Sequence, residues 1–411
     1  MLNRRRFLAW LAATSLANPT LSPRARAAGS ESPMGVNSDG REAVITLFLC
    51  GDVMSGRAID QILPNHNRPQ IHEPYLVDAR DYIALAERVN GPIPRPVAFD
   101  YVWGDALAEL SRMSPDARIV NLETAITTHD VFEPKGINYR MHPANVGLLG
   151  VAGIDCCALA NNHVLDWGDK GLADTLACLQ GAEIRTAGAG RDLARAQAPA
   201  VIPIPGKGRV LVFAFGSEYS GIARDWAATQ KRPGIDLLPD LSAATLAGIA
   251  ERVGRTKQTG DIAVASVHWG GNWDYQIPAA QRRFAHGLID QAGIDLVHGH
   301  SSHHVKGVEV YRGRPIIYGC GDFLNDYEGI RGHEEYRADL GLMYFPTLDI
   351  ESGRLVRFEL TATRIKRFRI QRADPAEAAW LAAVLDREGR PLGTGVAAVD
   401  GARLRLEWAR R

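Results

Sequence analysis

The stretch VHGHSSHHVKG, residues 297–307, places four histidines within seven positions of the chain. They are His298, His300, His303 and His304, and they follow the apolar run AGIDLV, which is typical of a buried strand. A single histidine at a strand end is more often a structural residue than a ligand. Four crowded imidazoles would repel one another if protonated and would gain nothing from packing together, so the cluster favours metal binding over a structural role.

Short polar clusters also follow other apolar runs, namely VITLFLCGD, ARIVNLE, DCCALANNH, IAVASVHWG and PIIYGCGD. Helical patterns such as GDKGLADTLACLQGA and PAAQRRFAHGLIDQAG lie between several of these runs. Nearly continuous apolar strands that alternate with helices predict an α/β fold whose sheet is buried on both faces. Because ligands of such sheets bind outside the carboxyl ends of the strands, we expect the polar clusters to meet there.

The clusters offer oxygen and imidazole donors and no thiolates. They supply Asp52, Glu123, Asn161, Asn162, His163, His268, His300 and His303. This donor set suits a divalent metal, Zn, Mn or Fe, and a carboxylate that bridges between imidazoles can hold one or two such ions. The remaining histidines outside the 298–304 cluster are interpreted as structural residues; they are His66, His72, His129, His142, His286 and His333.

Five blocks occur in one order between residues 44 and 350: GDVM, NLET, ANNHVLDWGDKGLADT, HWGGNWDY and GHSSHHVKGVEVYRGRPIIYGCGDFLND. This series resembles the CapA family, named for poly-gamma-glutamate capsule synthesis, whose domain is similar to the calcineurin-like metallophosphoesterases. The resemblance implies a four-layer α+β sandwich in which central sheets are flanked by helices. It also implies a role in the biosynthesis or processing of a capsule polymer.

Transferred residue by residue, the resemblance implies that Asp52 and His303 bind a first metal ion and that Glu123 bridges to a second. The second ion would be held by Asn162, His268 and His300. Asn161 is an alternative amide ligand, although its strand-end position favours a supporting role. Where the phosphoesterases have a histidine two residues after the first aspartate, this chain has Met54, so a centre with one ion is an alternative to a centre with two.

The resemblance further implies that His163, next to a ligand in the sequence, is the general acid that protonates the leaving group. Asp166 lies three residues later, where a carboxylate is expected to orient that imidazole and to hold it charged.

Substrate contacts are predicted at Arg140, Trp269 and Trp273. Arg140 lies in a segment that resembles the family's F.A.P block, and a guanidinium suits carboxylate and phosphate alike. The two tryptophans either line a pocket beside His268 or roof the core, and the sequence does not separate these alternatives. Asp322 in GCGDF either places a carboxylate at the rim of the site or belongs to a turn that closes a strand, and the turn is the simpler interpretation.

The ends of the chain differ from its middle. Residues 1–27, with NRRRFL, an apolar stretch and Ala25-Arg26-Ala27, predict a twin-arginine-type signal peptide and export to the periplasm or cell surface; an uncleaved anchor is the alternative. Residues 28–43 predict a linker, 44–365 the CapA/metallophosphoesterase-like domain and 366–411 a C-terminal helical extension. Residues 61–100 read as an inserted lid.

Composition limits the partners. The whole chain has no net charge, and loss of residues 1–27 would leave 42 basic and 47 acidic residues, so no basic surface for nucleic acid is expected. The odd number of cysteines, five, mostly lies in apolar runs, which predicts buried thiols without a disulfide framework.

The leading hypothesis is an exported metal-dependent hydrolase that acts on an anionic polymer or small molecule through attack of a metal-bound hydroxide. Two alternatives remain open. One is a non-catalytic accessory or polymer-binding component of a membrane capsule synthetase, and the other is metal-assisted proton abstraction from an α-carbon, as in an epimerase.

Overall fold

The computed structural model describes residues 43–409 of the 411-residue chain. The predicted signal segment and nearly all of the predicted linker lie outside the described residues. Within the described part, none of the helices has the length and apolar character needed to cross a membrane.

The described strands form two large sheets and two short two-stranded ones. They are β1 Val44–Val53, β2 Ala117–Leu122, β3 Ala125–Ile126, β4 Arg140–Met141, β5 Cys156–Ala158, β6 Arg185–Ala187, β7 Ala189–Gly190, β8 Ala200–Ile204, β9 Gly208–Ser217, β10 Gly234–Ile235, β11 Leu237–Leu238, β12 Asp261–His268, β13 Leu296–His300, β14 Val308–Tyr311, β15 Arg314–Ile317, β16 Asp322–Leu324, β17 Leu340–Asp349, β18 Leu355–Ile365, β19 Ile370–Arg372, β20 Thr394–Asp400 and β21 Arg403–Trp408.

The described α-helices include those predicted from the patterns at 168–182 and 278–293 and a helix in the predicted C-terminal extension. They are α1 Arg57–Asp60, α2 Arg80–Asn90, α3 Asp100–Trp103, α4 Asp105–Met113, α5 Gly147–Val151, α6 Gly168–Gly181, α7 Leu193–Gln197, α8 Ala243–Thr256, α9 Ala279–Asp290 and α10 Pro375–Gly389.

The first sheet has the strand order β20-β21-β18-β17-β1-β2-β5-β6, with β16 beside β1 and β19 beside β18. Its half from β1 to β6 is parallel, whereas β17, β18, β20 and β21 are antiparallel. The second sheet has the order β11-β9-β12-β13-β15-β14, with β8 beside β9, and it is parallel from β11 to β15. The parallel strands alternate with helices, as their apolar runs predict.

The two faces of β9 show how the sheets are layered. Val210, Val212 and Ala214 belong to the large core that also contains β1, β2 and β5 of the first sheet. The intervening Leu211 and Phe213 belong to a second core, which helices α8 and α9 complete. Side chains of a strand point alternately to its two faces, so the first sheet lies on one side of the second sheet and helices lie on the other. The predicted architecture of central sheets flanked by helices is confirmed.

Strand pairing aligns the predicted polar clusters. Asp52 on β1 is paired in register with Asn121 on β2, and on the other side of β1 it is paired with Asp322 on β16. In the second sheet, His268 on β12 is paired with His300 on β13. The carboxyl ends of β1 and β2 and those of β12 and β13 therefore each present a row of polar side chains, as expected for parallel strands.

Two glycines allow β1 and the segment before β16 to approach closely. A Cβ atom at position 51 would lie 1.9 Å from the carbonyl oxygen of Gly321, far inside van der Waals contact. Gly321 itself has φ +78°, a conformation that a side chain disfavours. The backbone N–H of Asp52 donates to this same carbonyl at 3.0 Å. The contact therefore fixes where Asp52 stands relative to Asp322.

A buried arginine attaches the predicted insertion to the edge of the sheet. Arg57, directly after β1, donates from Nε to Asp326 at 2.8 Å and from Nη1 to Glu73 at 2.9 Å. Its guanidinium lies 3.7 Å from the centre of the Tyr82 ring in α2. Because the arginine and both carboxylates are buried, the ion pairs hold the insertion more firmly than pairs at the surface would.

The segment from residue 366 onward contains more than the predicted helix. Asp374 caps α10 by accepting from the backbone N–H groups of Ala376 and Glu377, and Glu377 completes a capping box. Strands β20 and β21 then form a hairpin that joins the first sheet through β18. The C-terminal segment is thus part of the main sheet.

The contact between Gly51 and Gly321 generates a prediction. Gly51→Ala places a methyl group on a backbone oxygen, and overpacking of this kind costs on the order of 1–3 kcal/mol or more. We expect a lower midpoint of thermal unfolding. Gly248→Ala is the matched control, since Gly248 is exposed in α8 with nothing within 4 Å of its added Cβ, and it should stabilise the helix by roughly 0.5–1 kcal/mol. Equal midpoints for the two variants would contradict the contact.

Candidate metal centre

Three buried carboxyl groups meet at the end of β1. The Asn121 amide donates to Asp52 at 2.8 Å and to Glu123 at 3.2 Å, so it holds these two side chains together. Asp322 lies on the other side of β1, and all three carboxyl side chains are at most 2% exposed. Asn121 precedes Glu123 by two residues on the same strand, so both side chains point to one face.

This crowding shifts the pKa values of the carboxyl groups. Burial raises the pKa of Asp52 to about 6, and the charge of Asp322 acts in the same direction. Burial and the charge of Asp52 raise the pKa of Glu123 well above its usual range. Buried carboxylates this close together either bind a proton or need a neighbouring positive charge.

A chain of hydrogen bonds fixes the proton positions of two histidines. His298 Nε2 lies 2.8 Å from the carbonyl oxygen of Cys50, which can only accept, so Nε2 carries the proton. Ser266 Oγ lies 3.2 Å from His298 Nδ1 and 2.9 Å from His300 Nε2. Ser266 thus donates its hydroxyl proton to His298 Nδ1 and accepts from the N–H at His300 Nε2. This assignment, made from the hydrogen-bond network, leaves the lone pair of His300 on Nδ1.

His268 has two acceptors facing its two ring nitrogens. Its Nδ1 lies 2.7 Å from His300 Nδ1, and its Nε2 lies 3.0 Å from the side-chain oxygen of Asn162. Burial lowers the pKa of His268 and of His300 well below the usual value, so each ring is neutral and carries one proton. One proton on His268 satisfies only one of the two acceptors. With the Asn162 oxygen assigned to face Nε2, two lone pairs face each other within 3.0 Å in either tautomer.

These observations match the donor chemistry of a divalent cation. Asp52, His268 and His300 are buried and offer ligand atoms that all lie within 4.8 Å of one another. Asn162 adjoins them through His268, and Glu123 adjoins them through Asp52. A cation bound there would accept the opposed lone pairs and offset the carboxylate charges at the same time. The residues present therefore fit the metal that the sequence implied.

His303 lies beside the carboxyl cluster and is oriented by Asp322, which the sequence had suggested to be part of a turn. Its Nδ1 lies 2.9 Å from Asp322 Oδ1. Burial lowers the pKa of His303, but the attraction of Asp322 and Asp52 outweighs it, so the net shift is upward. The turn interpretation of Asp322 is wrong, because β16 runs parallel to β1 and carries this carboxylate into the site.

His163 and Asp166 form the expected pair. His163 Nδ1 lies 2.7 Å from Asp166 Oδ2, and His163 Nε2 lies 3.8 Å from Glu123 Oε1. The backbone N–H of Tyr139 donates to the same Asp166 oxygen at 2.6 Å. Burial lowers the pKa of His163 to about 4, and Asp166 opposes this shift without overcoming it. Burial therefore outweighs the attraction by which Asp166 was expected to hold the imidazole charged.

Lys135 is a neighbour of this pair that the sequence interpretation missed. Its Nζ donates to Asp166 Oδ1 at 2.8 Å and to the backbone carbonyl of Asn162, and it lies 3.4 Å from His163 Nδ1. The lysine comes from the loop after β3, 28 residues before His163, so only the tertiary structure brings them together. It lowers the pKa of His163 further by charge repulsion.

Arg140 does not present its guanidinium to the metal-binding residues. Nη1 donates to Asp130 at 2.9 Å and to the backbone carbonyl of His129, and the guanidinium carbon lies 3.9 Å from the centre of the Trp167 ring. The side chain is 8% exposed. An arginine that is stacked and paired in this way is held in place by the protein itself, and the structure gives no sign of the predicted substrate contact.

The two predicted tryptophans lie in different environments. Trp269 is 3% exposed in the second core, where its indole N–H donates to the carbonyl of Tyr318 at 3.1 Å, so the core-packing alternative describes it. Trp273 is half-buried, and its ring centre lies 5.4 Å from that of His303 and 4.0 Å from that of His333. Of the pair, Trp273 is the one beside the site.

The other histidines and the cysteines have packing roles. His298 links the two sheets through Cys50, and His304 is buried among aromatic rings that include Tyr275 and Tyr336. Among the histidines interpreted as structural, His286 pairs with Glu309. All five cysteines are free thiols, and four of them are buried.

Comparisons with known proteins agree with the motifs. The family model described as bacterial capsule synthesis protein PGA_cap matches residues 46–327. A Mycobacterium tuberculosis protein described as a probable polyglutamine synthesis accessory protein is 47% identical over 359 residues, which are 87% of this chain and 94% of that protein. The capsule biosynthesis protein CapA of Bacillus anthracis is 26% identical over 283 residues, 69% of this chain and 60% of that protein.

Two further matches are one relative and one solved structure. The PGA biosynthesis protein CapA of Bacillus subtilis is 27% identical over 286 residues, 69% of this chain and 64% of that protein. The crystal structure of a novel phosphatase from Mycoplasma pneumoniae is 12% identical with a TM-score of 0.42, covering 78% of this chain and 93% of that chain. A score this low supports no argument about activity. The family match and the high identity to the mycobacterial protein, together with the site described above, show that this chain belongs to the bacterial capsule synthesis family PGA_cap, which includes CapA.

Proposed function

We propose that this protein is a metal-dependent hydrolase that acts in the biosynthesis or processing of poly-gamma-glutamate or a related capsule polymer. The opposed lone pairs around His268, beside three buried carboxyl groups, carry the metal part of this proposal. The family membership carries the link to a capsule polymer. Likeness of fold to phosphoesterases would not by itself establish hydrolysis.

The ligands would come from both sheets. Asn162, His268 and His300 would hold one cation, Asp52 and His303 would hold a second where two bind, and Glu123 would bridge between the two. The absence of thiolates favours Mn, Zn or Fe bound through oxygen and imidazole. A divalent cation bound there would lower the pKa of water to near neutral and polarise the scissile group.

His163 would move the proton in this reaction. Its neutral ring keeps the proton on Nδ1 toward Asp166, so Nε2, on the side of Glu123, is free to take up a proton. Asp166 would stabilise the imidazolium that forms, and Nε2 would then deliver the proton to the departing group. Lys135 and the backbone N–H of Tyr139 hold Asp166 in place for this proton transfer.

The substrate and the location of the protein follow from the same reasoning. An anionic polymer or a small anionic molecule would be drawn to bound cations, and Trp273 would contact it at the half-buried rim. A twin-arginine signal in residues 1–27 would export the folded protein to the periplasm or cell surface, where such a polymer is assembled. A membrane synthetase is a partner that this location would permit, whereas nucleic acid is not expected.

A non-catalytic accessory role is the second candidate function. It is favoured by the description of the mycobacterial relative as a synthesis accessory protein. In that case the cation would stabilise the junction of the two sheets without turnover. The pair of His163 and Asp166 argues against an accessory role. A purely structural metal centre does not need a buried imidazole whose Nε2 can take up a proton.

Metal content is the first test. We expect the protein purified from its own host to contain about one or two divalent ions per chain, and His300→Ala and Glu123→Gln to lose most of that metal because each removes a ligand. Elemental analysis after dialysis measures this directly. His66→Ala is the control, since His66 is exposed and outside the cluster. A wild-type protein with the same negligible metal content as His300→Ala would show the metal centre to be wrong.

Turnover separates the two functions. The wild-type protein should hydrolyse poly-gamma-glutamate or a simple phosphate ester, and a chelator should abolish the reaction. His163→Ala should retain its metal but lower kcat by about 100- to 10,000-fold, the usual contribution of a general acid or base. Fully metal-loaded protein that turns over none of a panel of esters, amides and the polymer would instead establish the accessory role.

A further inference from the structure

Each of the two side-chain oxygens of Asp322 has a hydrogen-bond partner inside the site. Oδ1 lies 2.9 Å from His303 Nδ1, and Oδ2 accepts from the Asn325 amide at 2.7 Å. The carboxylate has no exposed surface, whereas the His303 side chain is 12% exposed. Because both oxygens already have partners, Asp322 is better placed to orient His303 than to bind a cation itself.

The partners of His303 identify its tautomer. A carboxylate accepts, so the proton of the ring lies on Nδ1 and points to Asp322. The other nitrogen, Nε2, lies 3.2 Å from the amide nitrogen of Asn272, which donates. A neutral ring with its proton on Nδ1 keeps its lone pair on Nε2, on the side of the Asn272 amide. An imidazole in this tautomer is ready to bind a cation through Nε2.

The strand register ties this arrangement to the metal-binding residues. Asp322 is paired with Asp52 across β1 and β16, and the Gly51–Gly321 contact fixes the spacing of the two strands. The backbone N–H of Ser301, two residues before His303, lies 3.3 Å from Asp52 Oδ2. The loop that carries His303 is thus attached to β1 through Asp52 and to β16 through Asp322.

We propose that Asp322 is a positioning residue that holds His303 in the cation-binding tautomer, and that it supports the half of the centre where Met54 stands in place of a histidine. A ligand histidine whose second nitrogen donates to a carboxylate is both oriented and made more basic. With no imidazole at position 54, this half depends on His303 for its nitrogen ligand. This inference rests on the metal centre proposed above.

A double-mutant cycle tests the role of Asp322. Purified metal-free wild type, Asp322→Asn, His303→Ala and the double variant are titrated with Mn²⁺ and with Zn²⁺ by calorimetry. We expect Asp322→Asn to weaken cation binding by about 10- to 100-fold and to have no further effect once His303 is alanine. Asp225→Asn, at an exposed carboxylate, is the control and should bind as wild type does. The thermal midpoint of each metal-free variant confirms that it is folded.

Each outcome has a defined meaning. If Asp322→Asn weakens binding equally with and without His303, Asp322 acts independently of the histidine and the positioning role is wrong. If wild type binds cations and Asp322→Asn binds as tightly, the role is also wrong while the proposed function stands. If wild type binds neither ion, the metal centre itself fails, and the role of Asp322 fails with it.

Discussion

A surplus of buried acceptors is the constraint on which the rest of this structure depends. Asp52, Glu123 and Asp322 are buried together, and both ring nitrogens of His268 face acceptor atoms, one on His300 and one on Asn162. Desolvated carboxylates and unpaired acceptors are costly in a low-dielectric interior. Burial also lowers the pKa values of His268 and His300, so neither ring gains a second proton that would satisfy both acceptors. A bound cation is the simplest arrangement that satisfies all of these groups at once.

The fold places these desolvated carboxylates and acceptors together at the junction of the two sheets. β1 and β2 bring the carboxylates, β12 and β13 bring the imidazoles, and the bond from His298 to the Cys50 carbonyl links the two sets. The glycine contact at Gly51 leaves no room for adjustment between β1 and β16. The donors are held on rigid strands, which is how a protein preorganises a metal site before the ion arrives.

The chemistry of the site and the descriptions of its relatives point in partly different directions. Free Nε2 on His163, with Asp166 behind it, suits proton transfer. The mycobacterial relative is described as an accessory protein, a description that names a process without naming a reaction. A hydrolase that trims or releases a polymer would also be an accessory to its synthesis, so the two descriptions are compatible.

Some of the site was predictable because it depends on short-range patterns. Apolar runs that end in polar residues marked the strand ends, and the family motifs assigned Asp52, Glu123, Asn162, His268, His300 and His303. Asn121 and Ser266 could have been found in the same way, since each precedes a predicted ligand by two residues on a strand and so shares its face. Helices α6, α9 and α10 likewise followed from their sequence periodicity.

Short-range patterns did not predict the contact made by Lys135, the position of Asp322 in the site or the charge state of His163. Lys135 reaches Asp166 across a loop, and Asp322 enters the site only because β16 pairs with β1. The pKa of His163 depends on how much water the folded chain excludes. Burial lowers this pKa by more than the attraction of Asp166 raises it. The sequence by itself determined which donor atoms this protein brings to the ends of its strands. Only the tertiary structure decided which of them share one desolvated space, because strand pairing and burial depend on residues far apart in the chain.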